Sequence, residues 1–231
     1  MLLECTPMDA IHYVPLCLIV VSVLMCLVGR NWLQRRRYGK SGVPSLKSPR
    51  HLGLLGLAEA MLPTWIIVQA VLIAVSPSSL AIISLPGRAE VVPIALGIPV
   101  LIGSLLCMLV GQLQMGPSWR IGIARNEKPG LVTTGMFRFV RNPIYTSAIG
   151  ALIGFCLLIP TWLMLGMTVA AMVGFRLQIA REEEFLMQLY GDEYVAYGCH
   201  VGRFCPWFGR FHSPSRASDL HGVAPQPAHA P

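Results

Sequence analysis

Residues Gly130 to Tyr145, GLVTTGMFRFVRNPIY, form a polar, basic stretch between two strongly apolar halves of a 231-residue chain. The stretch ends in Arg141-Asn142-Pro143, directly before the next apolar run. Asn is a favoured helix N-cap, and Pro fits the first helical position, where its missing N–H is no loss. The sequence here predicts a helix that enters an apolar layer at Pro143. Arg141 and the unpaired N–H groups of the first turn should sit together at its mouth. Such an arrangement can hold an anion.

The composition says what that apolar layer is. The chain is 54% hydrophobic and 13% charged, with a mean hydropathy of +0.60. A soluble domain carries about 25% charged residues, so the expected fold is an all-α integral membrane protein. The net charge of +7 does not point to nucleic acid, because the basic residues cluster beside apolar segments and so report topology. The seven cysteines show no CxxC pair, and His212, His221 and His229 are irregularly spaced. No metal site is expected.

Working outward, the apolar runs predict about five transmembrane helices. The first three run from about Ile11 to Gly29, Leu52 to Val75 and Val91 to Leu113. The last two, Pro143 to Ile159 and Thr161 to Ile179, are separated only by Pro160 and should form an antiparallel hairpin. No basic residue precedes the first run, so it reads as a retained helix and not a cleaved signal. A loop with Arg30, Arg35, Arg36, Arg37, Lys40, Lys47 and Arg50 should follow it on the inner side. The expected topology has the N-terminus outside and the C-terminus cytoplasmic. Glu59 lies within the second run, where an acid is a functional candidate or an interfacial group.

Past the last run, Glu182, Phe185, Leu186 and Leu189 follow the spacing of one helix face. Gly191 fits a C-cap and Asp192 an N-cap for a second short helix carrying Tyr194 and Tyr197. The expected division is residues 1–111 for the first three helices and 112–211 for a functional core ending in a cytoplasmic amphipathic segment. Residues 212–231 read as a disordered tail.

Nearly all polar residues suited to chemistry fall on the inner side, in two blocks that the hairpin brings together. One runs from Ser118-Trp119-Arg120 to Tyr145, the other from Arg181-Glu182-Glu183-Glu184 to Arg203. An arginine, a glutamate and tyrosines suit a ligand with both an anionic and a cationic part. The same residues also suit plainer roles. Arg141 could be a topology charge or headgroup contact, the acidic triplet a solvated face, and Tyr194 and Tyr197 interfacial aromatics. Glu182 shares its face with apolar residues and needs a partner to offset desolvation. No phosphate loop, dinucleotide fingerprint or Ser/His/Asp set is present.

The motif Arg141-Asn142-Pro143-Ile144-Tyr145 is followed by Glu182-Glu183, Leu186, Tyr190-Gly191, Tyr194, Tyr197 and Arg203-Phe204-Cys205-Pro206. This combination resembles the isoprenylcysteine carboxyl methyltransferase family and the related phospholipid N-methyltransferases. The likeness covers about residues 112 to 208. It implies an S-adenosylmethionine-dependent enzyme with its cofactor pocket on the cytoplasmic side of a membrane, here expected to be a bacterial inner membrane. By the resemblance, Arg141, Tyr145, Glu182 and Glu183 are the leading cofactor contacts, with Asn142, Tyr194 and Arg203 behind them. Arg141 and Glu182 are the expected catalytic residues. Where the eukaryotic carboxyl methyltransferases have His, this chain has Asn142, which can hydrogen-bond but cannot titrate. The expected acceptor is a lipid or prenylated molecule entering from the bilayer, methylated on a carboxylate. Alternatives are phospholipid N-methylation, an NADPH-dependent sterol or enone reductase with a similar C-terminal pattern, and a non-catalytic membrane scaffold or transport component.

Overall fold

The computed structural model describes residues 13–39, 53–76, 91–118 and 130–211. Helices α1 (Val14–Val23) and α2 (Arg30–Tyr38) join through a π-helical turn, Leu24–Gly29. Next come α3 (Gly53–Val75), α4 (Val91–Gln114), α5 (Pro143–Leu158), α6 (Trp162–Tyr190) and α7 (Asp192–His200). Among the described residues the only extended pairings are two isolated bridges, so the chain is an all-helical integral membrane protein. Among the described residues, three stretches are long and apolar enough to cross a membrane: Val14–Tyr38, Val92–Gln114 and Trp162–Tyr190. Two further apolar segments, Met61–Val75 and Pro143–Leu158, are shorter. The side chain of Glu59, the Trp119–Arg120 part of the first block, and the tail from 212 lie outside the described residues.

Two elements differ from the sequence reading. The basic segment expected to be a loop from Arg30 onward is helical to Tyr38. Arg is a good helix former, and nothing breaks the helix until Gly39, whose left-handed φ of +68° ends it. Three arginines, Arg35 to Arg37, occupy its last turn, where they complement the helix dipole. Arg30 itself is buried and donates to the Gln112 and Gly116 carbonyls and to Gln34 Oε1. It thereby ties the start of α2 to the C-terminal end of α4.

The second difference is α6. The last span and the first amphipathic helix are one continuous helix of 29 residues. Nothing between Ile179 and Glu182 breaks it, and at 1.5 Å per residue it is about 44 Å long, well beyond the ~30 Å hydrocarbon layer. The helix therefore continues about three turns past the apolar run, carrying Glu182 and Glu183 on a rigid extension of it.

The closest packing is between α4 and α5, whose small residues set an antiparallel register. Gly97 lies against Leu157 and Leu158, Leu101 against Gly154, Ser104 against Gly150, and Gly111 against Ile144. A Cβ at Gly154 would stand 2.8 Å from Leu101 Cβ, so glycine is what allows this approach, as at other membrane helix contacts. The expected hairpin between α5 and α6 is present. Thr161 caps α6, its Oγ1 accepting from the Met164 N–H and donating to Gln69 Oε1 on α3. The core gathers Ile66 and Ala70 from α3, Leu101 and Leu105 from α4, Phe155 from α5 and Met164 from α6.

Candidate functional site

The site is assembled where the chain leaves α6. Gly191, at φ +52°, ends α6 through its N–H to the Met187 carbonyl and also serves as the N-cap of α7. Asp192, expected as that cap, is instead the first helical residue. Helix α7 turns back, and residues 201–211 return beside the segment that leads into α5. The Arg141 N–H donates to the Gly202 carbonyl at 2.8 Å, and the Asn142 N–H to the Arg203 carbonyl at 3.3 Å. The Phe211 N–H closes the strap onto the Gly198 carbonyl at 2.9 Å. Two glycines make this possible: a Cβ at Gly198 would overlap the Phe211 ring, and one at Gly202 would overlap the Cys205 carbonyl oxygen.

Arg141 is 5% exposed, and its side chain is held by Glu183, the C-terminal end of α7 and the strap. Its Nε donates to Glu183 Oε1 at 3.1 Å. Its Nη1 donates to the Gly198 and Val201 carbonyls at 2.8 and 2.6 Å, and its Nη2 to the Gly209 carbonyl at 3.0 Å. The guanidinium also lies 4.2 Å from the centre of the Phe211 ring. Four of its five N–H directions are thus spent on protein acceptors, in a geometry only a planar fork can serve. Asn142 sits at the N-cap position of α5 but makes no side-chain cap bond. Its Nδ2 instead donates to Glu183 Oε1 and the Arg203 carbonyl.

Glu183, 1% exposed, is the centre of this network. Oε1 accepts from Arg141 and Asn142, while Oε2 accepts from Arg203 Nη2. Of the three adjacent glutamates, 183 is buried, 182 half-buried and 184 exposed, as their 100° steps round the helix require. The apolar face drawn through Glu182 identified an inward residue but not the most buried one. That choice is set by the strap, which packs on the neighbouring face.

Glu182 and Tyr145 form a second pair beside this lock. The Tyr145 hydroxyl donates to Glu182 Oε1 at 2.8 Å, and Gln178 Nε2 donates to the same oxygen at 3.2 Å. The Tyr145 ring meets Phe175 edge-on at 5.5 Å. Gln178 was not singled out from the sequence. Its place four residues before Glu182, one turn away on the same face, is the signal that would have found it.

The remaining predicted residues fall in the same cluster. Tyr194 is 2% exposed and stacks with Tyr197 and Phe211. Its burial, and then the Glu183 charge, push its phenol above the usual range. Burial pushes the phenol of Tyr197 up to about 12, and its hydroxyl donates to the Phe137 carbonyl. Tyr194 is thus buried in this cluster, with Tyr197 half-buried beside it. Arg203, which binds Glu183, keeps its Nε buried without a partner among the described residues. Of the first block, Ser118 donates to the Gly130 carbonyl at 3.3 Å, away from this cluster.

Comparisons with known proteins agree with the motif. Residues 92–193 match the model of a family described as phospholipid methyltransferase. No curated protein matches the chain. Among solved structures, it is similar to a eukaryotic intramembrane Ras methyltransferase, isoprenylcysteine carboxyl methyltransferase. That likeness is 15% identical with a TM-score of 0.47, over 84% of this chain and 75% of that one. From α4 to the start of α7, this membrane chain matches the phospholipid methyltransferase family, and the resemblance read from its motifs is borne out.

Proposed function

We propose that the chain is an S-adenosylmethionine-dependent methyltransferase acting on a lipid-like or prenylated acceptor, with its site on the cytoplasmic face. The observation that carries this reading is the unsatisfied Arg203 Nε at the edge of the Glu183 network. A buried N–H without an acceptor is costly, and a ligand carboxylate would satisfy it. One residue before Glu183 on α6, the half-buried Glu182 carboxylate and its partner, the Tyr145 hydroxyl, suit the ligand's amine or sulfonium end. The residues present therefore fit a cofactor with both charges.

When bound, the cofactor supplies an electrophilic methyl group on sulfur. The protein's part is to align donor and acceptor for a direct displacement. In this reading Arg141 and Glu183 are positioning residues that hold the strap, while Arg203, Glu182 and Tyr145 face the ligand, with Asn142 and Tyr194 supporting them. A carboxylate acceptor is already a nucleophile at neutral pH and needs no base, whereas an amine must lose a proton, which the Glu182 carboxylate can receive. An apolar groove of about 560 Å³ between α4 and α5 reaches Val140, Pro143 and Thr146, beside the site. It offers a lipid chain a lateral approach.

Carboxyl O-methylation is the reading favoured by the motif. Phospholipid N-methylation is favoured by the family matched over residues 92–193. Purified protein in lipid discs, given methyl-labelled cofactor and a membrane-lipid extract, should move label into the organic phase. Label released as methanol by mild base identifies an ester, and base-stable label on a headgroup identifies an amine. Transfer to water-soluble acceptors alone would contradict both.

A further inference from the structure

The turn Cys205–Gly209 is built at some cost and yet leaves its aromatic side chains bare. Trp207 is 75% exposed and Phe208 80% exposed, and Trp207 holds a φ of +68°. This is the left-handed region that favours glycine and that a bulky side chain avoids. The turn is pinned there on both sides. The Phe208 N–H donates to the Cys205 carbonyl and the Arg203 N–H to the Phe208 carbonyl, while Arg141 Nη2 holds the Gly209 carbonyl. Neither aromatic ring contributes to the core, so the strain serves their outward display.

Position and charge indicate what the rings meet. The Phe204 carbonyl accepts from Thr146 Oγ1 at 3.0 Å, in the first turn of α5. The turn therefore hangs at the level where that apolar helix enters its layer. Phe139, 56% exposed, lies on the adjoining segment with the Arg138 guanidinium 5.0 Å over its ring. Arg138 and Arg210 are exposed beside these aromatics, and residues 201–211 contain no acid. Bare Trp and Phe flanked by arginines, at the end of a spanning bundle, match the chemistry of a headgroup layer carrying negative charge.

We propose that the Cys205–Gly209 turn is an interfacial anchor. It inserts Trp207 and Phe208 into the headgroup region of the leaflet on the site's side, with Arg138 and Arg210 on anionic headgroups. Because Arg141 and Arg203 grip the same turn, bilayer contact steadies the strap that closes the site. The inference does not depend on the reaction proposed above.

The test reads Trp207 fluorescence as the difference between the chain and its Trp207→Phe variant, in discs containing anionic lipid. Bromine is placed on the acyl chains either near the headgroup or near the chain end. The anchor predicts blue-shifted Trp207 emission that loses most of its intensity to the shallow bromines and less to the deep ones. It also predicts weaker quenching in purely zwitterionic discs and in an Arg138→Gln/Arg210→Gln variant. Water-like, unquenched emission would overturn the proposal. So would a blue shift that ignores bromine and disappears when residues 213–231 are deleted, which would make the tail the partner. Quenching unchanged by lipid charge would overturn the anionic assignment. Should Trp207→Phe lose its melting transition, Phe208→Ala provides the second reading, with Trp207 as reporter and weakened shallow quenching expected.

Discussion

Glu183 collects two arginines and an asparagine around one buried carboxylate, and Arg141 spends three further N–H groups on the Gly198, Val201 and Gly209 carbonyls. Removing one member of a buried ion pair leaves the other uncompensated, at about 3–5 kcal/mol. Arg141→Ala should therefore lower the melting temperature sharply in detergent, and Arg141→Lys should recover only part of it, since an ammonium cannot reproduce the fork. An equal melt for Arg141→Ala and the parent chain would remove Arg141 from the lock. The tyrosines give a pH signature. Their phenols are held above the ordinary value, so the folded state keeps the proton more tightly than the unfolded one. The stability this provides is complete below about pH 10 and is lost as pH rises towards about 12 for Tyr197. Alkaline melts of Tyr197→Phe should show a shallower decline across that window than the parent chain. At this scale the motif residues were legible in the sequence, but their partners were not. Arg141 was read as facing a ligand anion, whereas it meets the Glu183 carboxylate and three carbonyls about sixty residues away, which no local pattern encodes.

Elements were easier to foresee where one physical term dominates. Apolar runs gave the helices and the one-proline hairpin, because only helices satisfy their own backbone in lipid, although among the described residues three and not five are long and apolar enough to cross a membrane. Boundaries were missed where propensity continued past the apolar run, at Arg30 and again beyond Ile179. The first carries a basic helix to Gly39, and the second carries Glu182 and Glu183 outward on α6. The α4–α5 seam is set by small residues on both helices. Its register yields a paired prediction. Gly154→Ala forces a methyl against Leu101 and should destabilise by about 1–3 kcal/mol. Gly174→Ala on α6 meets nothing within 4 Å and should be neutral or stabilising by up to ~1 kcal/mol, since alanine is the better helix former. Thermal melts of the two variants side by side check both. A neutral Gly154→Ala would contradict the seam.

For the molecule as a whole, the bundle serves to bring two distant sequence blocks to one end. Helix α5 presents Asn142 and Tyr145, the overlong α6 presents Glu182 and Glu183, and the strap after α7 supplies Arg203. In the proposed reading, the buried Arg141–Glu183 lock and the half-buried Tyr145–Glu182 pair have separable duties, one in folding and one towards the ligand. This division is the central claim. It is tested most directly by calorimetric titration of S-adenosylmethionine, with NADPH as the control, into the disc-embedded chain and its Glu182→Gln variant. The account predicts that the parent chain binds S-adenosylmethionine and not NADPH, and that Glu182→Gln keeps the parent melting temperature while losing at least about 1.4 kcal/mol of binding, a tenfold weaker affinity. Binding of NADPH alone, or undiminished S-adenosylmethionine binding by Glu182→Gln, would contradict it.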